Sequence, residues 1–339
     1  MTTFSHSIDH AIVVWNELGE EQKYTLARSV ARRRVREWKR TLDGVVSVGS
    51  GFRTTGGTNE PTNEICLRFA VLRKKKRVGE GRVPERVVAY IDNENGRCRC
   101  AIPTDVDVIA PGEENSNTGL RRGIVVRKDG MLRGDIGAVC AVVEDVNSPR
   151  AWYLLSCNHV LALPGSGCDP TLATDIFRAN RSRLAAQKIA DMLFHKPLNP
   201  RAGYGMDAAL AVVSRKDLIS PTVQGKRPTQ VAGHGAVPHD YKIYTPRDPL
   251  PAEFVGEQFD VTVPFRCGAE VRLKHVIMSK ADTVNGDSGS PLIGSDGTLY
   301  GMHFYLTAAC SSKPSYALAL PAHDLFRDGT WPIKIKLAT

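Results

Sequence analysis

A serine enclosed by small residues is the part of this sequence best suited to covalent chemistry. Ser288 lies in the run Gly-Asp-Ser-Gly-Ser-Pro at residues 286–291. Gly286 can adopt backbone conformations that other residues resist, so its N–H and that of Ser288 can point toward one reacting oxygen and form an oxyanion hole. A serine hydroxyl alone is a weak nucleophile, so the motif requires a base and a group that orients the base.

A histidine and an aspartate beside two apolar segments are the candidates for these roles. His159 ends the run Leu-Leu-Ser-Cys-Asn-His at residues 154–159, and Asp207 precedes the run Ala-Ala-Leu-Ala-Val-Val at residues 208–213. The chain order is His, Asp, Ser, with separations of 48 and 81 residues. This is the chymotrypsin order, and it differs from the orders of subtilisin and the α/β-hydrolases. The sequence therefore predicts that His159 takes the proton of Ser288 and that Asp207 orients the imidazole.

These three segments resemble those of the trypsin-like, chymotrypsin-fold serine proteases. In that family a strand ends in His, an Asp precedes small apolar residues, and the serine lies in Gly-Asp-Ser-Gly-Gly-Pro. This chain has Ser290 in place of the second glycine. The resemblance covers roughly residues 120–330. It implies a mainly β fold with two six-stranded antiparallel β-barrels, and hydrolysis of protein or peptide substrates through an acyl-enzyme.

Each motif also has an ordinary structural interpretation. Gly-Asp-Ser-Gly is a common turn sequence, a histidine at a strand end is often a satisfied polar group, and Asp207 can cap a strand or a turn. The occurrence of all three in this order favours catalysis. The alternative function is a catalytically silent binding or scaffold protein of the same fold that uses its basic surface.

Three positions bear on which side chain a protease of this kind would recognise. In trypsin-like proteases the residue six before the serine lies at the base of the primary pocket, and here it is Asp282, which implies cleavage after Arg or Lys. In glutamyl endopeptidases a Thr five before the serine and a His fifteen after it bind an acidic side chain, and here they are Thr283 and His303. The two resemblances conflict, so both preferences stay open, and we expect the basic one first.

Activation has two alternatives as well. The run Arg-Arg-Gly-Ile-Val at residues 121–125 looks like a zymogen cleavage site between Arg122 and Gly123. Asp287 occupies the position that pairs with the freed N-terminus in trypsin-type activation. Cleavage after Arg122 would then activate the protein. In the competing hypothesis the chain is active uncut, and its N-terminal region is a scaffold or regulator.

The composition indicates a soluble globular protein. Of 339 residues, 42% are hydrophobic and 24% are charged, which is ordinary for that class. No stretch of the sequence approaches the ~18 apolar residues of a membrane span, and the N-terminal segment lacks the features of a signal peptide. We therefore expect a cytoplasmic protein with reduced thiols.

Cys98 and Cys100 are too close together for the usual zinc spacing, so we expect no metal and no cofactor.

Basic residues are concentrated in two stretches of a chain whose net charge is +9. Residues 23–40 and residues 68–86 contain eight each. Such clusters can bind an acidic protein, nucleic acid or a membrane surface. A solvated helix face and a charged loop are the plainer interpretation, and no nucleic-acid-binding motif accompanies the charge. An acidic protein is therefore the first candidate partner of the N-terminal basic helix.

Residue patterns divide the chain into four segments. Residues 1–42 predict a helical segment interrupted at Gly19, residues 43–110 a small α+β module, residues 111–122 a polar linker, and residues 123–339 the protease domain. The apolar face of the second helix consists of Ala27, Ala31, Val35, Trp38 and Leu42. The α+β module resembles the leader module of intracellular trypsin-like proteins of bacteria and plants, the narrow-leaf type. That resemblance assigns no chemistry to the module.

Overall fold

A computed structural model gives the fold of this chain. It describes residues 8–54, 61–71, 81–93, 96–108, 110–114, 125–128, 136–161, 163–164, 170–171, 175–178, 187–198, 203–222, 225–265, 270–308 and 315–338. These residues are mostly in strands, which confirms the mainly β fold class predicted from the sequence. None of the helices within these ranges is long and apolar enough to cross a membrane.

The elements run from two helices through a long succession of strands. The first part of the chain contains α1 Ile8–Glu17, α2 Glu20–Thr41, β1 Val45–Thr54, β2 Pro61–Val71, β3 Arg86–Asn93, β4 Gly96–Val108, β5 Ala110–Glu114, β6 Val125–Lys128, β7 Ile136–Ala138, β8 Ala141–Asp145, β9 Ser148–Ser156 and α3 Asn158–Leu161. The second part contains β10 Leu163–Pro164, β11 Pro170–Thr171, β12 Asp175–Arg178, β13 Gln187–His195, β14 Ala209–Val213, β15 Gln230–Val231, β16 Tyr241–Tyr244, β17 Pro249–Pro251, β18 Glu253–Pro264, β19 Glu270–Lys280, β20 Pro291–Gly294, β21 Thr298–Ala308, β22 Ala317–Pro321, α4 Ala322–Leu325 and β23 Ile335–Leu337. A 3-10 turn, Lys216–Leu218, follows β14.

The chain forms two compact units. Within the described residues, one unit contains residues 8–110 and 255–262, and the other contains the remainder. The predicted helical segment 1–42 and α+β module 43–110 therefore fall in one unit. The predicted linker 111–122 begins within strand β5, and its residues 115–122 lie outside the described residues.

The first unit is a small sheet with two helices. Its strands pair in the order β3-β4-β2-β1, and β1 then pairs with residues 256–259 of β18. All of these pairs are antiparallel except β2 with β4. Helix α2 begins after Gly19, as predicted, and buries Trp38 against Phe69, with ring centroids 5.1 Å apart. The apolar stripe predicted from the sequence thus packs within its own unit.

Two basic residues of α2 are bound to acidic residues of β18. Arg28 Nε lies 2.6 Å from Glu257 Oε2, and Lys39 Nζ lies 3.4 Å from Asp260 Oδ2. Both carboxylate side chains are only 2% exposed, so each needs a cation to offset the loss of water around its charge. Part of the basic cluster in residues 23–40 therefore has a structural role.

Arg68, in the second basic stretch, also has surroundings that differ from those of a solvated charged loop. Its side chain is fully buried and binds the Asp107 carboxylate and the carbonyl of Phe52. Asp105 lies 3.7 Å from the same guanidinium. A buried charge is stable only when it is paired and hydrogen-bonded, so this cluster holds β1, β2 and β4 together.

The second unit contains two main sheets. One has eight strands in the order β23-β8-β9-β14-β13-β12-β6-β7. In the other, β19, β22, β21, β20, β16 and β17 follow one another, and the short β15 joins β21 in parallel. These sheets stand where the sequence predicts the two barrels. The predicted triad residues lie at the ends of their strands or between them.

Five of the eight cysteines lie in the described residues: Cys66, Cys98, Cys100, Cys140 and Cys157. Burial raises the pKa of the Cys66 and Cys140 thiols far above the ordinary value, and it raises that of Cys100 to about 11. These three thiols therefore remain protonated at neutral pH, the form that reacts poorly.

The buried cation of the first unit generates a stability prediction. We expect Arg68→Ala to lower the free energy of unfolding by roughly 3–5 kcal/mol, because it leaves the Asp107 carboxylate buried without its partner. Urea unfolding followed by circular dichroism measures the loss. Arg53→Ala is the matched control, since Arg53 pairs with Glu64 at an exposed site and should contribute about 1 kcal/mol or less. Equal effects of the two substitutions would contradict the assignment.

Candidate functional site

The position of His159 follows from strand β9. Leu154, Leu155 and Cys157 are fully buried, and His159 lies in the first turn of the short helix α3 that begins as β9 ends. Its side chain is 9% exposed, and its ring lies edge-on to Phe265 with centroids 6.2 Å apart. The histidine thus has an apolar wall on one side and retains limited contact with solvent.

Strand pairing brings Asp207 to His159. Ala209 pairs with Ser156 and Leu210 with Leu155 in the antiparallel register of β14 and β9, so the residues before β14 lie beside those after β9. The fully buried Asp207 carboxylate accepts hydrogen bonds from His159 Nδ1, at 2.6 Å, and from the His159 backbone N–H, at 3.1 Å. Both carboxylate oxygens therefore fix one residue, which sets the orientation of the imidazole.

Ser288 lies in the turn between β19 and β20. Its side chain is buried, and its hydroxyl donates to the carbonyl of Phe304 at 3.3 Å. Gly286 and Gly289, on either side, have φ values of 97° and 90°, in the left-handed region that favours glycine. The tight turn therefore depends on both glycines.

Hydrogen bonds join the Ser288 turn to the segment that carries His159. The Ala138 N–H donates to the Ser288 carbonyl at 2.7 Å, and the Ser156 hydroxyl donates to the Ala138 carbonyl at 2.6 Å. The His303 carbonyl accepts from the Gly289 N–H at 2.8 Å and from the Cys157 thiol at 3.4 Å. One carbonyl therefore links the residue after the serine to the residue two before the histidine.

The residues behind the two alternative substrate preferences differ in burial. Asp282 is exposed, whereas Thr283 and His303 are buried. Burial lowers the pKa of His303 to about 3; the nearby His159 lowers it further, and the hydrogen bond between Nδ1 and the Leu318 carbonyl opposes the shift. His303 is therefore neutral at pH 7, with Nδ1–H donating to the Leu318 carbonyl and Nε2 able to accept a hydrogen bond.

Asp287 is bound to an arginine. Its carboxylate is 2% exposed and accepts from Arg247 Nη2 at 2.7 Å and from the Val284 N–H at 2.8 Å. Burial raises the pKa of Asp287, against the opposing effects of Val284 and Arg247. The other two residues of the predicted activation site, Arg122 and Gly123, lie outside the described residues.

Sequence reasoning missed Arg247 and the structural role of Cys157. Arg247 is 40 residues from its partner, in a stretch rich in Pro and Gly without regular periodicity, so no pattern indicated it. In the sequence, Cys157 is only one residue of the run 154–159 that ends at His159. Its thiol lies within 4.8 Å of the nearest ring nitrogen of His159 and the nearest carboxylate oxygen of Asp207, a proximity that the spacing of the sequence does not reveal.

Comparisons with known proteins give structural neighbours only. No protein-family model matches the chain, and no curated protein matches it significantly. The active form of the Rv3671c protease from M. tuberculosis has 17% identity and a TM-score of 0.39, over 60% of this chain and 77% of that one. The MamO protease domain from Magnetospirillum magneticum has 16% identity and a TM-score of 0.33, over 60% of this chain and 93% of that one.

A chymotrypsin from Cellulomonas bogoriensis is a further neighbour. It has 10% identity and a TM-score of 0.36, over 65% of this chain and 99% of that one. Identities and TM-scores of this size leave the functional interpretation to the site's own geometry.

The close packing at Gly289 generates a second prediction. A Cβ at this position would lie 2.0 Å from the Ala138 carbonyl oxygen and 2.4 Å from the Ser156 hydroxyl, at a φ of 90°. We expect Gly289→Ala to destabilise the fold by several kcal/mol, measured as a lower midpoint of urea unfolding. Gly233→Ala is the control, because a Cβ there meets no atom within 4 Å. Similar midpoints for the two variants would show that the Ser288 turn is not rigidly packed.

Proposed function

We propose that this protein is a serine endopeptidase. The observation that carries the proposal is the 2.6 Å hydrogen bond between His159 Nδ1 and the fully buried Asp207 carboxylate. A buried aspartate aimed at one imidazole nitrogen leaves the other nitrogen to act as a base, which is the role of this pair in serine proteases. Ser288 supplies the nucleophile, and a protein or peptide supplies the carbonyl.

The reaction would proceed by acyl transfer. His159 Nε2 takes the hydroxyl proton as Ser288 Oγ forms a bond to the scissile carbonyl carbon, and the carbonyl oxygen becomes an oxyanion. The imidazolium then protonates the leaving amine as the C–N bond breaks. Water attacks the acyl-enzyme by the same route and releases the new carboxylate. Asp207 stabilises the imidazolium in both halves of the reaction and remains ionised.

The oxyanion would be bound by the N–H groups of Gly286 and Ser288. The left-handed conformation of Gly286 supports this assignment, because it turns a backbone N–H in a direction that other residues rarely adopt. Each such donor contributes about 10²–10³ in rate in known enzymes of this kind. The same glycine therefore shapes the turn and serves the reaction.

The ion pair between Arg247 and Asp287 supports an enzyme that is active uncut. Trypsin-type activation requires a cation to enter and pair with this carboxylate, and here Arg247 Nη2 already lies 2.7 Å from it. A positive charge from within the chain can keep the Ser288 turn in its working conformation without cleavage between Arg122 and Gly123. Between the two activation hypotheses, this contact favours the second.

The charges at the candidate pocket favour a basic residue before the cleaved bond. Binding an acidic side chain calls for positive charge, and His303, with its pKa of about 3, is neutral at pH 7. Asp282 is the only one of the three candidate residues with an acidic group, and an acidic group attracts Arg or Lys. We therefore propose cleavage after basic residues, with Thr283 and His303 serving as pocket structure.

The test of function is cleavage of a diverse peptide mixture, read by mass spectrometry. We expect cuts by the wild-type chain that disappear with Ser288→Ala and fall by at least about 10⁴-fold with Asp207→Asn, which places the wrong imidazole tautomer next to the serine. The residue before each cut reports the preference, and Glu or Asp there would overturn the role of Asp282. Cuts that persist in Ser288→Ala would sink the mechanism, and the absence of any cuts would favour a binding or scaffold protein.

The Arg247 contact generates a separate prediction on activation. We expect Arg247→Met to lower kcat/KM by about ten-fold or more, a change equal to about 1.4 kcal/mol, because Asp287 then lacks its cation. Arg215→Met is the control, since Arg215 pairs with Asp217 on the surface. Intact-mass analysis of wild-type enzyme should give the full-length mass. Activity that arises only after cleavage near Arg122 would contradict this prediction.

A further inference from the structure

Two histidines and an aspartate converge in the second unit at a place distinct from the triad. His275 lies on β19, and His323 and Asp324 are consecutive residues of the short helix α4. Each offers one metal-binding atom, and these atoms all lie within 4.8 Å of one another. The proposed function uses none of these side chains.

Two distances within this cluster are longer than ordinary hydrogen bonds and close to the spacing of metal ligands. His323 Nε2 lies 3.6 Å from Asp324 Oδ2, and His275 Nδ1 lies 3.8 Å from the same oxygen. Hydrogen bonds of this kind span about 2.7–3.2 Å. Two ligand atoms bound to one tetrahedral zinc at 2.0–2.1 Å are separated by about 3.3–3.4 Å. These two separations therefore exceed the spacing of zinc ligands by only a few tenths of an ångström.

A third imidazole lies next to the cluster. His234 Nδ1 and His323 Nε2 are hydrogen-bonded at 3.2 Å, and the two rings have centroids 4.8 Å apart. This nitrogen–nitrogen separation is also close to that of two ligands on one zinc ion. His234 is exposed, so its ring has room to turn toward an ion and provide a fourth ligand.

The sheet fixes the three nearer ligands in place. Strand β19 pairs with β22, with Ile277 opposite Ala319, and α4 continues directly from β22, so His275 and the two α4 residues have a set spacing. The side chain of His275 is 4% exposed, that of Asp324 12% and that of His323 17%. A site on rigid, half-buried elements needs little reorganisation to bind.

The two oxygens of the Asp324 carboxylate have different neighbours, and Oδ2 is the one nearer the imidazoles. Arg327 Nη1 lies 3.9 Å from Asp324 Oδ1, whereas both imidazole distances above are measured to Oδ2. A cavity of about 320 Å³ adjoins the cluster and includes His275 and Asp324 in its lining. The cavity therefore lies against two of the proposed ligands, His275 and Asp324.

We propose that His275, His323 and Asp324, with His234 as the fourth ligand, form a binding site for a divalent transition metal of the zinc class. Imidazole nitrogen with a single carboxylate suits zinc, cobalt, nickel and iron rather than calcium or magnesium, which prefer oxygen ligands alone. The site is independent of the proposed protease function, because it shares no residue with the triad.

The test is a titration of the full-length, metal-free Ser288→Ala protein, which cannot digest itself, with Co²⁺ followed by visible absorption and with Zn²⁺ by calorimetry. We expect one equivalent of each metal to bind. His323→Ala and Asp324→Asn, added to that background, should each weaken binding by about 100-fold or more, since loss of even an outer-sphere partner costs about 10–100-fold. His239→Ala is the matched control, because His239 is exposed and bonds only the Val237 carbonyl among the contacts described for its ring nitrogens.

A second cluster supplies the competing outcome. Cys157, His159 and Asp207 also lie within 4.8 Å of one another and can bind Co²⁺ through the thiol. His159→Ala on the same background should leave the affinity and stoichiometry unchanged. Binding that survives His323→Ala but disappears with His159→Ala would overturn the proposal, as would the absence of stoichiometric binding. Circular dichroism of each metal-free variant establishes that it is folded, and Asp324→Asn, which preserves side-chain shape, provides the answer if His323→Ala does not fold.

Discussion

The candidate site depends on two hydrogen bonds to the backbone carbonyl of His303. This carbonyl accepts one hydrogen bond from the Gly289 N–H and one from the Cys157 thiol, and these donors belong to segments separated by more than 100 residues of chain. Neither sheet alone holds both the Ser288 turn and the segment that carries His159. Because both bonds are buried, breaking either one leaves a polar group without water, so the alignment of the two segments is tied to the stability of the fold.

Three buried carboxylates, those of Asp207, Asp107 and Glu257, show that a buried negative charge needs a specific partner. Each carboxylate is buried, and each has a specific partner: the His159 imidazole, the Arg68 guanidinium and the Arg28 guanidinium. A buried carboxylate without such a partner would be neutralised or expelled. Some of the basic residues therefore pair with buried carboxylates inside the first unit. Fewer basic side chains are left on the surface to bind an acidic partner.

Structural features that depend on local sequence patterns could be predicted from the sequence. The helix break at Gly19 and the buried face of α2 depend on residues near one another in the chain, and the described geometry agrees with both. The roles of His159, Asp207 and Ser288 were predicted from three short motifs and their order, and they stay a prediction. Arg247 beside Asp287, and His275 beside His323, are joined only by the tertiary fold. No periodicity connects positions 40 or more residues apart, so these contacts could not be predicted without strand order and register.

The neutrality of His303 has a consequence for the proposed chemistry. His159 becomes an imidazolium during each acyl transfer, and a second cation nearby would raise the energy of that state. Burial keeps His303 uncharged, with its Nδ1–H donating to the Leu318 carbonyl, while the Asp207 carboxylate is hydrogen-bonded to Nδ1 of His159. In the proposed mechanism only His159 therefore acts as a base, because desolvation keeps His303 neutral whereas a carboxylate stabilises the charged form of His159.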